Sequence, residues 1–272
     1  NVILFTDAPN PDNFTRGYGA YRMASEIRKL GYTVLTVDFS SAISLDMFEE
    51  ILDKSISDET LIVGFSTTWF PYRSRDKKND RFIIGQKSLM SDPRIDFDAT
   101  NQPWYKESLS YNIAQDKLPY IVSRIKDRNP NIKVIIGGGK ANEYVTESSV
   151  DNVFIGYSEN QIKDYLDSLT KKGPRRLFNR VIDHDIKGEI GEFDIRTSIT
   201  DYVETDCLMS EELLTIEFGR GCIFKCAFCS MAHRGMDTRD FIKYKETIYK
   251  ELMDNWTKWG VYKYVIIDDT FN

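Results

Sequence analysis

Short apolar runs rich in β-branched residues alternate with amphipathic stretches over residues 1–170. Residues 2–6, 33–39, 61–66, 133–136 and 153–155 read as strands, each short, apolar and followed by turn residues. Residues 18–30, 44–55, 116–128 and 160–169 repeat their apolar positions at helical spacing. The first of these ends at Gly31, the second has Ser44 as an N-cap, and the third stops short of Pro130. Strands that are apolar on both faces and alternate with helices predict a parallel sheet covered on both sides, an α/β Rossmann-like domain.

Residues 71–112 break the rhythm with Arg, Lys, Asp, Ser and aromatics, among them Trp104 and Tyr105. The insertion follows the third strand and so leaves the carboxyl end of the sheet, where such folds bind ligands. It is either a lid or a decorated surface loop. Residues 171–176 (KKGPRR) read as a hinge, 177–190 as a small hairpin turning at Lys187-Gly188, and 191–212 as a polar linker. A second rhythm opens at Leu213: a strand over 213–218, a helix over 239–259 ending at Gly260, and a strand over 262–267 running into Asp268-Asp269. The predicted organisation is a domain over 1–170 with an insertion at about 71–112, a hairpin and linker over 171–212, and the start of a second unit over 213–272. The chain opens on Asn1 rather than Met and stops just after an apolar strand, so a fragment of a longer protein is expected.

Hydrophobic residues make up 41% and charged residues 29%, a globular composition and not that of a disordered tail or a small disulfide scaffold. The net charge of −6 gives no global pull toward nucleic acid. No apolar run reaches the roughly 18 residues of a membrane span, and no basic-then-apolar segment opens the chain as a secretory signal does. The expected location is the cytoplasm.

The 4 cysteines are Cys207, Cys222, Cys226 and Cys229. Disulfide frameworks spread their cysteines to staple distant loops, whereas Cys222, Cys226 and Cys229 crowd one loop as C-x3-C-x2-C. Clustered thiolates hold iron–sulfur clusters. A cubane with three protein ligands leaves one iron open to a small molecule. His233 offers a rival in which structural zinc takes C-x3-C-x2-C-x3-H, although four ligands from one short loop crowd a small ion. Cys207 reads as a free thiol.

The cysteine loop, with Phe228 just before the last cysteine and Arg220-Gly221 just before the first, resembles the radical S-adenosylmethionine (SAM) superfamily. That resemblance implies a [4Fe–4S] cluster on Cys222, Cys226 and Cys229, with its open iron chelating SAM. One electron then cleaves SAM to methionine and a 5′-deoxyadenosyl radical. It places Phe228 near the adenine, or packed under the loop, and Asp268 or Asp269 at the SAM amino group, the alternative being a helix cap. It also implies a one-electron reductant such as flavodoxin or ferredoxin and a small-molecule substrate. Residues 213–272 match only the opening of that superfamily's barrel, so the chain alone is expected to be inactive.

Residues 1–170, with the Gly-rich strand end Gly137-Gly138-Gly139 and the turn Gly156-Tyr157-Ser158-Glu159, resemble the cobalamin-binding-domain class of that superfamily. The implied ligand sits over Thr67, Gly137, Gly138 and Gly156. The chain departs from the D-x-H-x-x-G pattern whose histidine ligates cobalt: the loop reads Asp7-Ala8-Pro9, and the 2 histidines, His184 and His233, lie elsewhere. Cobalamin binding stays open. So does a dinucleotide site, since Gly17-Tyr18-Gly19 half-matches G-x-G-x-x-G and Asp38 ends the next strand, although Arg22 replaces the third glycine. Methylthiotransferases carry further N-terminal cysteines that this chain lacks. The expected function is radical SAM chemistry on a small molecule, methyl transfer before rearrangement or cyclisation. The alternative is a non-catalytic Rossmann-like binding module with a zinc- or cluster-stabilised knob.

Overall fold

The computed structural model describes residues 1–7, 15–68, 70, 106–170, 179–183, 193–222, 224, 227 and 241–268. Six strands form the first sheet: β1 (Val2–Phe5), β2 (Val34–Val37), β3 (Ile62–Ser66), β4 (Lys133–Gly137), β5 (Asn152–Ile155) and β6 (Val181–Asp183). Their order is β2-β1-β3-β4-β5-β6 and every pairing is parallel. The helices are α1 (Tyr18–Lys29), α2 (Leu45–Ser55), α3 (Leu109–Asn112), α4 (Leu118–Arg128) and α5 (Glu159–Thr170).

Strand alternation sends successive side chains to opposite faces, and both faces are covered. Ile3, Phe5, Val63, Phe65, Val134 and Ile136 pack with Phe48 and Leu52 of α2 and Ile121 and Ile125 of α4. Val2, Leu4, Ile62 and Ile135 face the other way, onto Ala24 and Ile27 of α1 and Ile162 and Leu166 of α5. The parallel α/β architecture expected from the pattern is therefore the one observed. Ser44 caps α2, its Oγ accepting from the Met47 N–H at 3.2 Å.

Two local expectations change, and one gains a partner. Residues 181–183 of the expected hairpin extend the first sheet as β6, parallel to β5; the rest of that hairpin, with Lys187 and Gly188, lies outside the described residues. Asn152 explains the docking, since its side-chain amide donates to Asn179 O at 2.9 Å and orients the incoming chain. The helix expected from residue 116 starts at Leu118, because Asp116 has φ +62° and breaks the run that begins with α3. The helix expected from residue 239 starts at Lys245, because the backbone just before it pairs with the end of the second sheet's first strand.

That second sheet is β7 (Leu213–Ile216) and β8 (Lys263–Ile266), parallel and joined through α6 (Lys245–Trp259). Thr15 bridges to Leu213 on the other side of β7, so the segment after β1 borders the second sheet. The joint holds a small apolar group, Tyr21, Tyr202, Leu214 and Val261, and several buried charges. Arg16 pairs with Glu212 and donates to the Tyr21 hydroxyl at 2.7 Å and to Cys207 O at 3.1 Å. Arg22 donates to Ser198 Oγ, and Arg28 grips Asp206 through two bonds of 2.8 and 2.9 Å. The linker is thus a strap across α1.

Strand order reverses between β1 and β3, the switch point of this topology, and Asp7 sits there at the end of β1, wholly buried. Its Oδ1 accepts from Ser41 Oγ at 3.0 Å while Oδ2 has no partner. Burial, with Asp38 nearby, pushes the carboxyl up to about 7.

Three outcomes are expected. An unfolded Asp titrates near 3.8, so between that pH and about 7 only the folded state holds the proton, and stability falls as pH rises through this window. Asp7→Asn, which mimics the protonated form, should stabilise the chain at pH 8 by on the order of 1–3 kcal/mol and have little effect at pH 4. Parallel pH dependences for the two chains in thermal melts would contradict this. Second, a chain ending at residue 170 loses β6 and the strap over α1, and should melt below one ending at 212; equal midpoints would show the strap to be idle. Residues 213–272 alone should aggregate or stay unfolded, because an isolated strand pair is marginal and Val265, Ile266 and Ile267 are exposed.

Candidate functional site

The cysteine loop leaves the end of β7 and returns before α6. Its neck is closed by main-chain bonds, Arg220 N–H to Phe241 O at 3.0 Å and Lys243 N–H to Phe218 O at 2.7 Å, with Gly219 bridged antiparallel to Ile242. Below the neck, Lys243 forms a buried ion pair with Glu251 of α6. Burial pushes the Lys243 ammonium down, and Glu251 only partly offsets it. Glu251 also accepts from the Thr200 N–H of the linker at 3.0 Å, which joins strap, helix and loop.

Cys222 lies partly exposed just past this neck, as a free thiol, after Gly221 with φ +82°. Its Sγ accepts from the Phe224 N–H at 3.4 Å. A main-chain N–H on sulfur suits a thiolate, and such bonds are a recognised influence on iron–sulfur centres. Cys222, the first of the expected ligands, thus has surroundings compatible with that role. Cys226, Cys229, Phe228, His233 and Asp269 lie outside the described residues, among which no group of three metal-ligating side chains occurs. Cys207 is exposed, closing a single helical turn in the left-handed conformation.

Asp268, at the end of β8, accepts from the Phe218 N–H at 2.7 Å and so ties the ends of β7 and β8 together. Burial pushes its carboxyl up, with the backbone donors of Phe218 and Gly219 opposing. One oxygen is thus engaged in holding the start of the cysteine loop.

At the carboxyl edge of the first sheet, Thr67 is buried and its hydroxyl donates to Gly137 O at 2.9 Å. Gly138 has φ +96°, and a Cβ there would stand 2.9 Å from the Thr68 nitrogen, so contact between neighbouring loops is enough to require glycine. Gly137 has room for a side chain. Gly156, with φ +82°, shapes the turn from β5 into α5. The dinucleotide alternative loses its ribose acid. Both Asp38 oxygens are bonded to main-chain donors, Gly17 at 2.9 Å and Phe39 at 2.7 Å. Gly17 lies a full loop beyond β1, against Thr6, and not in the tight turn that fingerprint needs.

A group absent from the expectations surrounds Arg220. Its guanidinium is buried and forked onto Glu217 at 2.8 and 3.0 Å, and it donates to Glu159 at 2.6 Å. Arg220-Gly221 stands out in the sequence only as a neighbour of Cys222, and nothing local signals an acid 61 positions away.

No family model matches the sequence, and no curated protein matches it at a significant level. Solved structures do. The cobalamin-dependent S-adenosylmethionine radical enzyme OxsB, with aqua-cobalamin and S-adenosylmethionine bound, superposes with a TM-score of 0.59 at 18% identity, over 99% of this chain and 34% of that one. The radical S-adenosylmethionine methyltransferase TsrM from Kitasatospora setae, with cobalamin and a [4Fe–4S] cluster bound, gives 0.59 at 13% identity, over 100% and 48%. TsrM with its tryptophan substrate and the SAM analogue aza-SAM gives 0.58 at 14% identity, over 100% and 48%. The chain spans less than half the length of these proteins. The likeness covers both sheets and the strap between them, and the chain has a fold shared with cobalamin-dependent radical SAM enzymes.

Proposed function

We propose that this chain is part of a radical SAM enzyme in which Cys222, Cys226 and Cys229 hold a [4Fe–4S] cluster and the first sheet carries a cobalamin-type site. Its reaction would be methyl transfer, or a radical rearrangement, on a small-molecule substrate. The observation that carries this is the C-x3-C-x2-C loop springing from the end of β7 in a fold shared with cobalamin-dependent radical SAM enzymes. A bound cluster with one open iron would supply the electron that splits SAM into methionine and a 5′-deoxyadenosyl radical, and cobalamin would supply a methyl carrier.

The chain's own residues have narrower tasks. The paired neck at Gly219–Ile242 fixes where the loop emerges, and the Phe224 N–H offsets charge on the Cys222 sulfur. Asp268 holds the start of the loop, with Asp269 beside it as the candidate for the SAM amine. At the first sheet, Gly137 and the Gly156 turn are the positions free to meet a ligand. No histidine of residues 1–170 can reach the lower face of a cobalamin. A flavodoxin- or ferredoxin-type reductant and a reducing, cytoplasmic setting belong to the same proposal.

Anaerobic reconstitution should load about four irons and four sulfides per chain, with an EPR signal in the reduced state that changes on adding SAM. Alanine at Cys222, Cys226 or Cys229 should abolish loading, and Cys207→Ala should not. A stoichiometric zinc site dependent on His233 would instead establish the knob of a binding module. Cobalamin taken up by the chain should show a spectrum without lower-face histidine.

A further inference from the structure

Arg220 is 7% exposed and lies two positions before Cys222. A buried guanidinium needs partners for its donors, and here they come from three parts of the molecule. Glu217, at the end of β7, takes the fork through both oxygens. Glu159, the first residue of α5, takes Nη2 at 2.6 Å. Tyr157, on the turn between β5 and α5, lies under the guanidinium plane, with its ring centroid 3.9 Å from Cζ, and Phe193 of the strap is at 5.2 Å. Burial pushes the Glu159 carboxyl up, but the charge and hydrogen bond of Arg220 outweigh it and hold the carboxyl below its usual range.

Apolar side chains of similar volume would fill this space at no loss of stability and often with a gain. An arginine fork adds direction: it fixes distance and orientation between Glu217 at the end of β7 and Glu159 at the start of α5. Main-chain pairing at Arg220 N–H then passes that placement to Cys222 through Gly221 alone.

We propose that Arg220 is a positioning residue that sets the first cluster cysteine in place against the β5–α5 turn of the cobalamin-type sheet. This rests on the cluster reading above. A lysine cannot replace it, because one ammonium cannot fork onto Glu217 and reach Glu159 while stacking on Tyr157.

The test uses the whole chain with Arg220→Gln, Arg220→Lys, Glu159→Gln and Glu217→Gln. In the cluster-free chain, hydrogen exchange should quicken together at Tyr157–Glu159 and at Gly221–Cys222 in the Arg220 and Glu159 variants. Glu217→Gln should loosen Gly221–Cys222 alone. In the reconstituted chain, Arg220→Gln and Glu159→Gln should speed iron release to a chelator by about 10–100-fold and alter the EPR line shape of the reduced cluster, with Arg220→Lys only partly restored. Glu159→Gln keeps shape and one hydrogen bond, so it stays informative if Arg220→Gln does not fold. Wild-type exchange, iron release and EPR in Glu159→Gln would overturn the proposal. A wild-type chain that loads no iron would overturn the cluster reading, while the exchange data still decide the clasp.

Discussion

Charge buried between the two sheets has to be paired, and the geometry of their joint follows from that requirement. Arg16, Arg22 and Arg220 are each less than a tenth exposed. Among their partners, Glu212, Ser198 and Glu159 lie far away in sequence, while Glu217, Glu26 and Tyr21 are local. Removing one partner of a buried pair costs about 3–5 kcal/mol. Fully burying an aromatic or aliphatic side chain is worth about 1.5–3 kcal/mol. With Tyr21, Tyr202, Leu214 and Val261 as the apolar group of the joint, a single misplaced guanidinium rivals one or two of these residues. Apolar contact is tolerant of sliding and hydrogen-bonded forks are not, so the polar bonds set the angle and register between the sheets.

The carboxyl edge of the first sheet shows how residues that suggest a ligand can be required by the protein itself. Gly138 is forced by the approach of the Thr67–Thr68 loop, Thr67 spends its hydroxyl on Gly137 O, and Asp38 caps main-chain donors. That leaves Gly137 and the Gly156 turn, whose next residue, Tyr157, lies against Arg220. That turn is in contact with the start of the cysteine loop, so the two sheets meet at their carboxyl edges.

Strands and helices of the first sheet are legible in the sequence because each obeys a local rule. Apolar runs of four or five residues are buried on both faces, Ser44 caps α2, and Gly31 and Gly260 close α1 and α6. Illegible parts are those settled by distant contacts. Val181–Asp183 reads locally as one arm of a hairpin, and its place in the first sheet comes from the edge of β5 and from Asn152. The delayed start of α6 reflects pairing of Ile242 and Lys243 with the β7 end. In the site, the cysteine spacing is a local signal and readable. The Glu159–Arg220–Glu217 group is not, because charged residues on a helix start and a strand end look like ordinary surface until the fold brings them together.

The neck of the cysteine loop completes the physical picture. Holding the ends of a long loop together costs entropy that grows slowly with its length, and a metal that had to gather free ends would meet that cost on binding. Here the Gly219–Ile242 bridge, the two main-chain bonds beside it and the buried Lys243–Glu251 pair already hold the ends. Lys243 pairs with Glu251 of α6, so the neck is braced by the helix packed beneath it. Folding of the second sheet and placement of the Cys222 end of the loop are therefore one event.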